Sequence, residues 1–213
     1  MSKPIITSFE CPKADWIRVV NKARRTRGMK PINHEPSDKF KRTILLAEHS
    51  PIRLLEYDFT IENIRQWVTV HICRHHIGCE KFVSSQREDI NKEIEQMTQR
   101  VVEIFEDEGL LRDGWRSRDY MFQGESNVMD MTCNAQSFIN ISRKRLCKGC
   151  PSPETRQAWE IVIEALREVD PILAEKCVPD CVYRGFCTEP DRCCGYVNTE
   201  AFSKKLEEYR RME

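Results

Sequence analysis

The densest set of reactive side chains in the sequence is His71-Ile72-Cys73-Arg74-His75-His76, followed by Ser84-Ser85-Gln86-Arg87. Positions 71, 74 and 75 share one helix face by their three- and four-residue spacing. Arg74 would leave the helix C-terminus beside two imidazoles. A planar, permanently charged fork next to rings that titrate near neutrality suits phosphates or the polar edge of a flavin. The serines, the amide and Arg87 could close around a second phosphate. The same residues also read as an ordinary solvated helix end. Zinc is disfavoured at His75 and His76, because adjacent helical residues point apart.

Cysteine is the other concentrated chemistry. The chain has 11, and seven lie between positions 147 and 194: Cys147, Cys150, Cys177, Cys181, Cys187, Cys193 and Cys194. No export signal is apparent in MSKPIITSFE, so a reducing, cytoplasmic setting is expected, where metal or redox chemistry is commoner than a disulfide framework. The preferred ligand set is Cys147, Cys181, Cys187 and Cys194 around a structural zinc, with Cys150 or Cys193 able to replace a member. An iron–sulfur cluster uses the same ligands. Free thiols, or disulfides formed on isolation, are the remaining reading. Cys79 beside Arg74 could be an activated thiol, though burial as a small apolar residue is the commoner fate of a lone cysteine.

These groups need a frame. The 213 residues carry 34 basic and 34 acidic side chains, so the formal charge is zero. That balance argues against a general nucleic-acid binder and against a polybasic membrane surface. No apolar run reaches membrane-spanning length. Residues 13–27 read as a helix stopped by Gly28, and Ser37 caps a second helix bearing Phe40, Ile44 and Leu45. Residues 55–59 alternate as a strand. Helices are expected over 61–74, 91–108 and 129–147, from Ser152-Pro153 onward, and after Thr199, with irregular chain at 75–89, 109–127 and 177–196. The sum is one helix-rich α+β domain over 1–213 with a small sheet, and the cysteine-rich 177–196 segment as an appendage.

Arg74-His75-His76, seven residues and Ser84 resembles the Arg-His-Arg-x7-Ser signature of the flavin-dependent thymidylate synthases. Glu48-His49-Ser50-Pro51 is similar to that family's His-x-Ser/Thr-Pro step, and Ala23-Arg24-Arg25-Thr26 to its early Ala-Arg-x-Ser/Thr element. Asn134-Ala135-Gln136, Asn140 and Arg145 match its later spacing, and Arg118 sits where another nucleotide-binding arginine belongs. The resemblance covers roughly residues 15 to 170. AEHSPIR, EKFVSSQR, ISRKRLC and VYRGFC resemble a branch common in gut bacteria and phages. His76, Gln86, Arg53 and Gln136 depart from the common pattern.

The resemblance implies a homotetramer that binds FAD, takes reducing equivalents from NADPH and moves a one-carbon unit from methylenetetrahydrofolate to C5 of dUMP, giving dTMP. No covalent enzyme nucleophile takes part. Thr26, Ser50, Arg53, Arg74, His75, His76, Asn134, Gln136 and Asn140 would face FAD. His71, Arg74, Ser84, Ser85, Gln86, Arg87, Arg118 and Arg145 would hold the nucleotide, with Arg145 the catalytic group at the pyrimidine's N3/O2 edge. Such a cation stabilises negative charge that develops as C5 becomes nucleophilic. A related flavoenzyme that hydroxymethylates a pyrimidine nucleotide, and a metal-binding interaction protein without catalysis, are the competing readings.

Overall fold

A computed structural model describes residues 3–13, 15–85, 92–109 and 127–211. Four antiparallel strands, β1 (Ile5–Lys13), β2 (Glu56–Ile64), β3 (Cys79–Val83) and β4 (Asn127–Asn134), form one sheet in the order β1-β2-β4-β3. One face is apolar. Tyr57, Phe59 and Ile61 of β2 and Met129, Met131 and Cys133 of β4 alternate inward with period two. The other face is a polar ladder in which Ser8, Thr60 and Asp130 are hydrogen-bonded in series.

The helices among the described residues are α1 (Trp16–Arg25), α2 (Asp38–Leu46), α3 (Gln66–Cys73), α4 (Lys92–Asp107), α5 (Ala135–Arg145), α6 (Pro153–Val169), α7 (Pro171–Lys176), α8 (Asp180–Arg184) and α9 (Glu200–Arg210). Helices α5 and α6 cover the apolar sheet face. Phe138 of α5 meets Tyr57 edge-on and packs against Phe59, and Trp159 of α6 closes the cluster. Its polar atoms are partnered: Trp159 Nε1 donates to Ser142 Oγ at 2.9 Å, and Tyr57 Oη donates to Asp170 at 2.6 Å. Asp170 also caps α7 through the Leu173 amide.

Several elements differ from the sequence reading. Residues 61–64 are strand, not helix. The register shifts between Ile61 and Ile64, where Asn63 takes φ 60°, so a three-residue apolar spacing stays on one strand face. Residues 127–134 are strand and only 135–145 are helix, because Met129, Met131 and Cys133 recur every second residue. Strand β3 lies in the segment expected to be irregular. It is a five-residue edge strand carrying charge, which masks alternation. Strand β1 was missed because two register shifts interrupt its pattern. The 177–196 segment contains α8 and a small core of its own, in which Val178 and Val182 pack with Phe202 and Tyr209. Much of the region expected to loop after 109 lies outside the described residues.

Candidate functional site

Helix α3 ends at Cys73, with Arg74 as its C-cap. The chain then runs as a short loop over 74–78 along α5 and enters β3. Three contacts fasten that loop at the start of α5. Asn134, the N-cap of α5, receives the Ser137 amide on its side chain and donates its own amide to the Gly78 carbonyl at 2.9 Å. Ser137 Oγ lies 2.7 Å from both the Ile77 and Gly78 carbonyls. Gly78 has φ 73°, and a Cβ there would stand 2.4 Å from Asn134 Nδ2, so this crossing requires glycine.

The far end of α5 holds the same loop by Arg145. Its Nε donates to His75 Nε2 at 2.9 Å and its Nη2 to the His71 carbonyl at 2.6 Å. His71 Nδ1 is 3.0 Å from Thr155 Oγ1, which donates to Ser152 Oγ at the start of α6. Burial, with Arg145 and Lys81 nearby, pulls the His75 pKa down to about 4. Burial also lowers that of His71, with Arg145 and Arg74 adding to the effect. Both rings are therefore neutral at physiological pH, and His75 presents an acceptor to the guanidinium. Arg74 and His76 are exposed, and the Arg74 guanidinium makes no hydrogen bond or ion pair with the described residues.

A second group gathers at the N-terminal half of α5. The 3₁₀ turn Ser50–Leu54 abuts it through the Ala135 amide, which donates to Leu55. Ser50 and Arg53 are exposed on that turn. Glu48, at φ 50°, bonds Gln136 Nε2 at 2.6 Å and pairs with Arg143. Gln136 also reaches Asn140. The Arg143 guanidinium lies 3.6 Å from the Tyr183 ring centroid. Glu48, Arg143 and Thr155 were not singled out in the sequence. Gln136 and Arg143, seven residues apart on one helix face, were a usable signal; Glu48 gave none.

Among the remaining candidates, Thr26 caps the end of α1 and donates to the Ala23 carbonyl. Ser84 is tied to β4, its Oγ accepting from the Val128 amide at 3.1 Å. Ser85 follows it and is half-buried. Gln86, Arg87 and Arg118 lie outside the described residues. Cys79 is buried and donates to the His75 carbonyl at 2.9 Å, while a hydrogen bond from Cys133, with Lys81 nearby, pulls its pKa down to about 6 against the opposing effect of burial. Cys147, Cys181, Cys187 and Cys194 all line one cavity, but no three His, Cys, Asp or Glu side chains among the described residues are placed to hold a single metal ion.

The overall fold recurs in solved structures. The fold is that of the flavin-dependent thymidylate synthases. The chain superposes on the enzyme ThyX of Helicobacter pylori complexed with FAD and dUMP, with a TM-score of 0.57 at 16% identity over 83% of this chain and 100% of that one. A second structure of that enzyme with FAD and dUMP gives 0.59 at 15% identity, over 83% and 99%. The UMP/dUMP methylase PolB of Streptomyces cacaoi, bound with 5-bromo-dUMP, gives 0.58 at 16% identity, over 86% and 95%. No protein-family model and no curated protein matches the sequence. No helix among the described residues is long and apolar enough to cross a membrane.

Proposed function

We propose that the protein is a flavin-dependent enzyme that transfers a one-carbon unit from methylenetetrahydrofolate to C5 of dUMP, with NADPH as reductant, as a homo-oligomer of the tetrameric kind. The observation that carries this reading is Arg145, fixed between His75 and the His71 carbonyl beside the exposed Arg74. The fold's likeness to enzymes whose structures hold dUMP or its bromo derivative supports it.

The residues present fit FAD. Arg53, Arg74, His76 and Asn140 are exposed donors on the Ser50–Leu54 turn, the 74–78 loop and α5, the chemistry a pyrophosphate and a flavin edge require. Ser50 and Gln136 would add neutral donors. Asn134 fits less well, since its carbonyl already caps α5, leaving the amide group. Thr26 would contribute from the end of α1. When bound, FAD would supply the redox chemistry that C5 methylation needs.

The chain's own residues supply binding and electrostatics. Arg145 would place permanent positive charge at the N3/O2 edge of the pyrimidine, where negative charge grows as C5 becomes nucleophilic. A neutral His75 accepts from Nε, so it aims the guanidinium without competing charge. The His71 carbonyl fixes the second arm. Arg74, Ser84, Ser85, Gln86, Arg87 and Arg118 would bind the nucleotide, the arginines meeting its phosphate.

Incubating the FAD-loaded protein with dUMP, NADPH and methylenetetrahydrofolate, and weighing the nucleotide, tests the proposal. A product heavier by one methylene is expected. A hydroxymethyl product would move the assignment to the related C5 chemistry, turnover of UMP alone would correct the substrate, and no turnover of either nucleotide would refute it.

A further inference from the structure

Two thiols face each other across the outer strand pair of the sheet. Cys79 opens β3, and Cys133 stands directly opposite it on β4. The backbone hydrogen bonds at either end of β3 set the kind of pair. The Asn134 amide donates to the Gly78 carbonyl at 2.9 Å, and the Ser84 amide donates to the Val128 carbonyl at 2.8 Å. In this register Gly78 lies opposite Asn134 and Ser84 opposite Val128, so those are the hydrogen-bonded pairs. Cys79 and Cys133 are therefore a non-hydrogen-bonded pair, the kind in which opposed side chains approach most closely. The Cα atoms of such a pair stand about 4.5 Å apart. A disulfide spans roughly 4.4–6.8 Å between Cα atoms, so the backbone needs no rearrangement to accept one here.

The two sulfurs differ in access and in chemistry. Cys133 is 0% exposed, whereas Cys79 is 5% exposed, on a strand with a neighbour along one edge only. Cys79 lies where the 74–78 loop enters the sheet, and its thiol donates to the His75 carbonyl at 2.9 Å. Lys81, two residues on along the same face, brings its ammonium to 3.4 Å from the Cys79 carbonyl oxygen. The Cys133 hydrogen bond and the Lys81 charge favour the Cys79 thiolate, while burial keeps Cys133 a thiol. Cys79 is thus suited to attack and Cys133 to resolve.

We infer that Cys79 and Cys133 form an oxidative modification site, at which hydrogen peroxide joins the two sulfurs in a disulfide across β3 and β4. The Cys79 thiolate attacks one peroxide oxygen and the O–O bond breaks. The departing hydroxide takes up the proton lost by the thiol, leaving as water, and Cys79 becomes a sulfenic acid. Cys133 then attacks that sulfur. The S–O bond breaks, and the Cys133 proton leaves with the hydroxide as a second water. The sulfurs together lose two electrons and the peroxide gains them. The crosslink also removes the proton that tied Cys79 to the His75 carbonyl, so the loop bearing the Arg145 partner loses one anchor. This effect on turnover rests on the proposed function; the crosslink itself does not.

The test treats full-length protein with increasing hydrogen peroxide, alkylates the remaining thiols and weighs the unreduced peptides. A Cys79 peptide joined to a Cys133 peptide, two hydrogens lighter than their sum and parted by dithiothreitol, is expected before the exposed Cys73 is half oxidised. Cys133→Ala should leave Cys79 as a sulfenic acid that dimedone traps. If that variant fails to fold, the peptide map of the unaltered chain still decides. Turnover should fall as the crosslink forms and return with dithiothreitol. Cys79→Ser keeps a donor for the His75 carbonyl and should hold its turnover at the same peroxide dose. Free thiols at both positions when Cys73 is half oxidised, or Cys79 joined to another cysteine, would overturn the inference. A crosslink that leaves turnover unchanged would overturn its link to the site. Absence of turnover before treatment would count against the proposed function, and the peptide map would still decide the pair.

Discussion

Arg145 Nε stands 2.9 Å from His75 Nε2, and the two are joined by one hydrogen bond across 70 residues of sequence. A second arm of the same guanidinium ends on the His71 carbonyl. The pairing fixes a charge that would otherwise sweep solvent. Arg145→Ala should abolish product formation while leaving most flavin bound. Arg145→Lys keeps the charge but loses the two-armed geometry, and should cost about a hundredfold or more in turnover. Product mass and flavin absorbance, read on the same sample, check both. Near-normal turnover in either variant removes Arg145 from the reaction.

His75 makes stability depend on acid. Its pKa is about 4 in the folded chain against an ordinary value of 6.5, so the unfolded chain binds more protons between those values. Stability is therefore unaffected by this residue near neutrality and falls as pH drops through that window. Urea unfolding at about pH 7 and about pH 5 measures it. His75→Gln, which does not titrate, should show a shallower loss.

Gly78 is the tightest point of the loop. Gly78→Ala would drive a methyl to within 2.4 Å of Asn134 Nδ2 and 2.6 Å of Ser137 Oγ, at φ 73°. A loss of more than about 1 kcal/mol is expected, with turnover lowered because His75 and Arg74 ride on the same loop. Gly28→Ala is the control: it shares a positive φ but meets no atom within 4 Å. Equal melting temperatures for the two variants would show that the crossing is not tight.

Tyr57→Phe removes a buried donor. Asp170 then loses a partner inside the core, and a cost of about 1–3 kcal/mol follows. Denaturant midpoints read the change. Burial and Asp170 both raise the Tyr57 pKa, so the phenol stays neutral and this contribution holds into alkaline solution.

The legible parts of the molecule were those written in short range. The Ser37 and Ser152 caps, α1, α2, α4 and α6 follow from capping residues and a 3.6-residue period, and all lie within a few residues of where the sequence puts them. Arg74 and His75 stood out by type and spacing, and Arg145 through the family resemblance. The sheet was obscure because its pattern is broken by register shifts in β1 and β2 and by the brevity of β3. Glu48 joining Gln136 and Arg143 was invisible, since its meaning depends on a contact 95 residues away. The cysteines were countable from the start, but only the fold shows that six of them face a single void.

Lys176 is buried, at 1% exposure, and its ammonium donates to the carbonyl of Tyr209 in the final helix. Helix α9 is thus a cap on an embedded charge rather than a dispensable tail. Proteolytic trimming ahead of Tyr209 would strand that ammonium without its acceptor and loosen the adjoining turns of α7. Replacing the lysine with methionine should make the trimmed chain tolerable again.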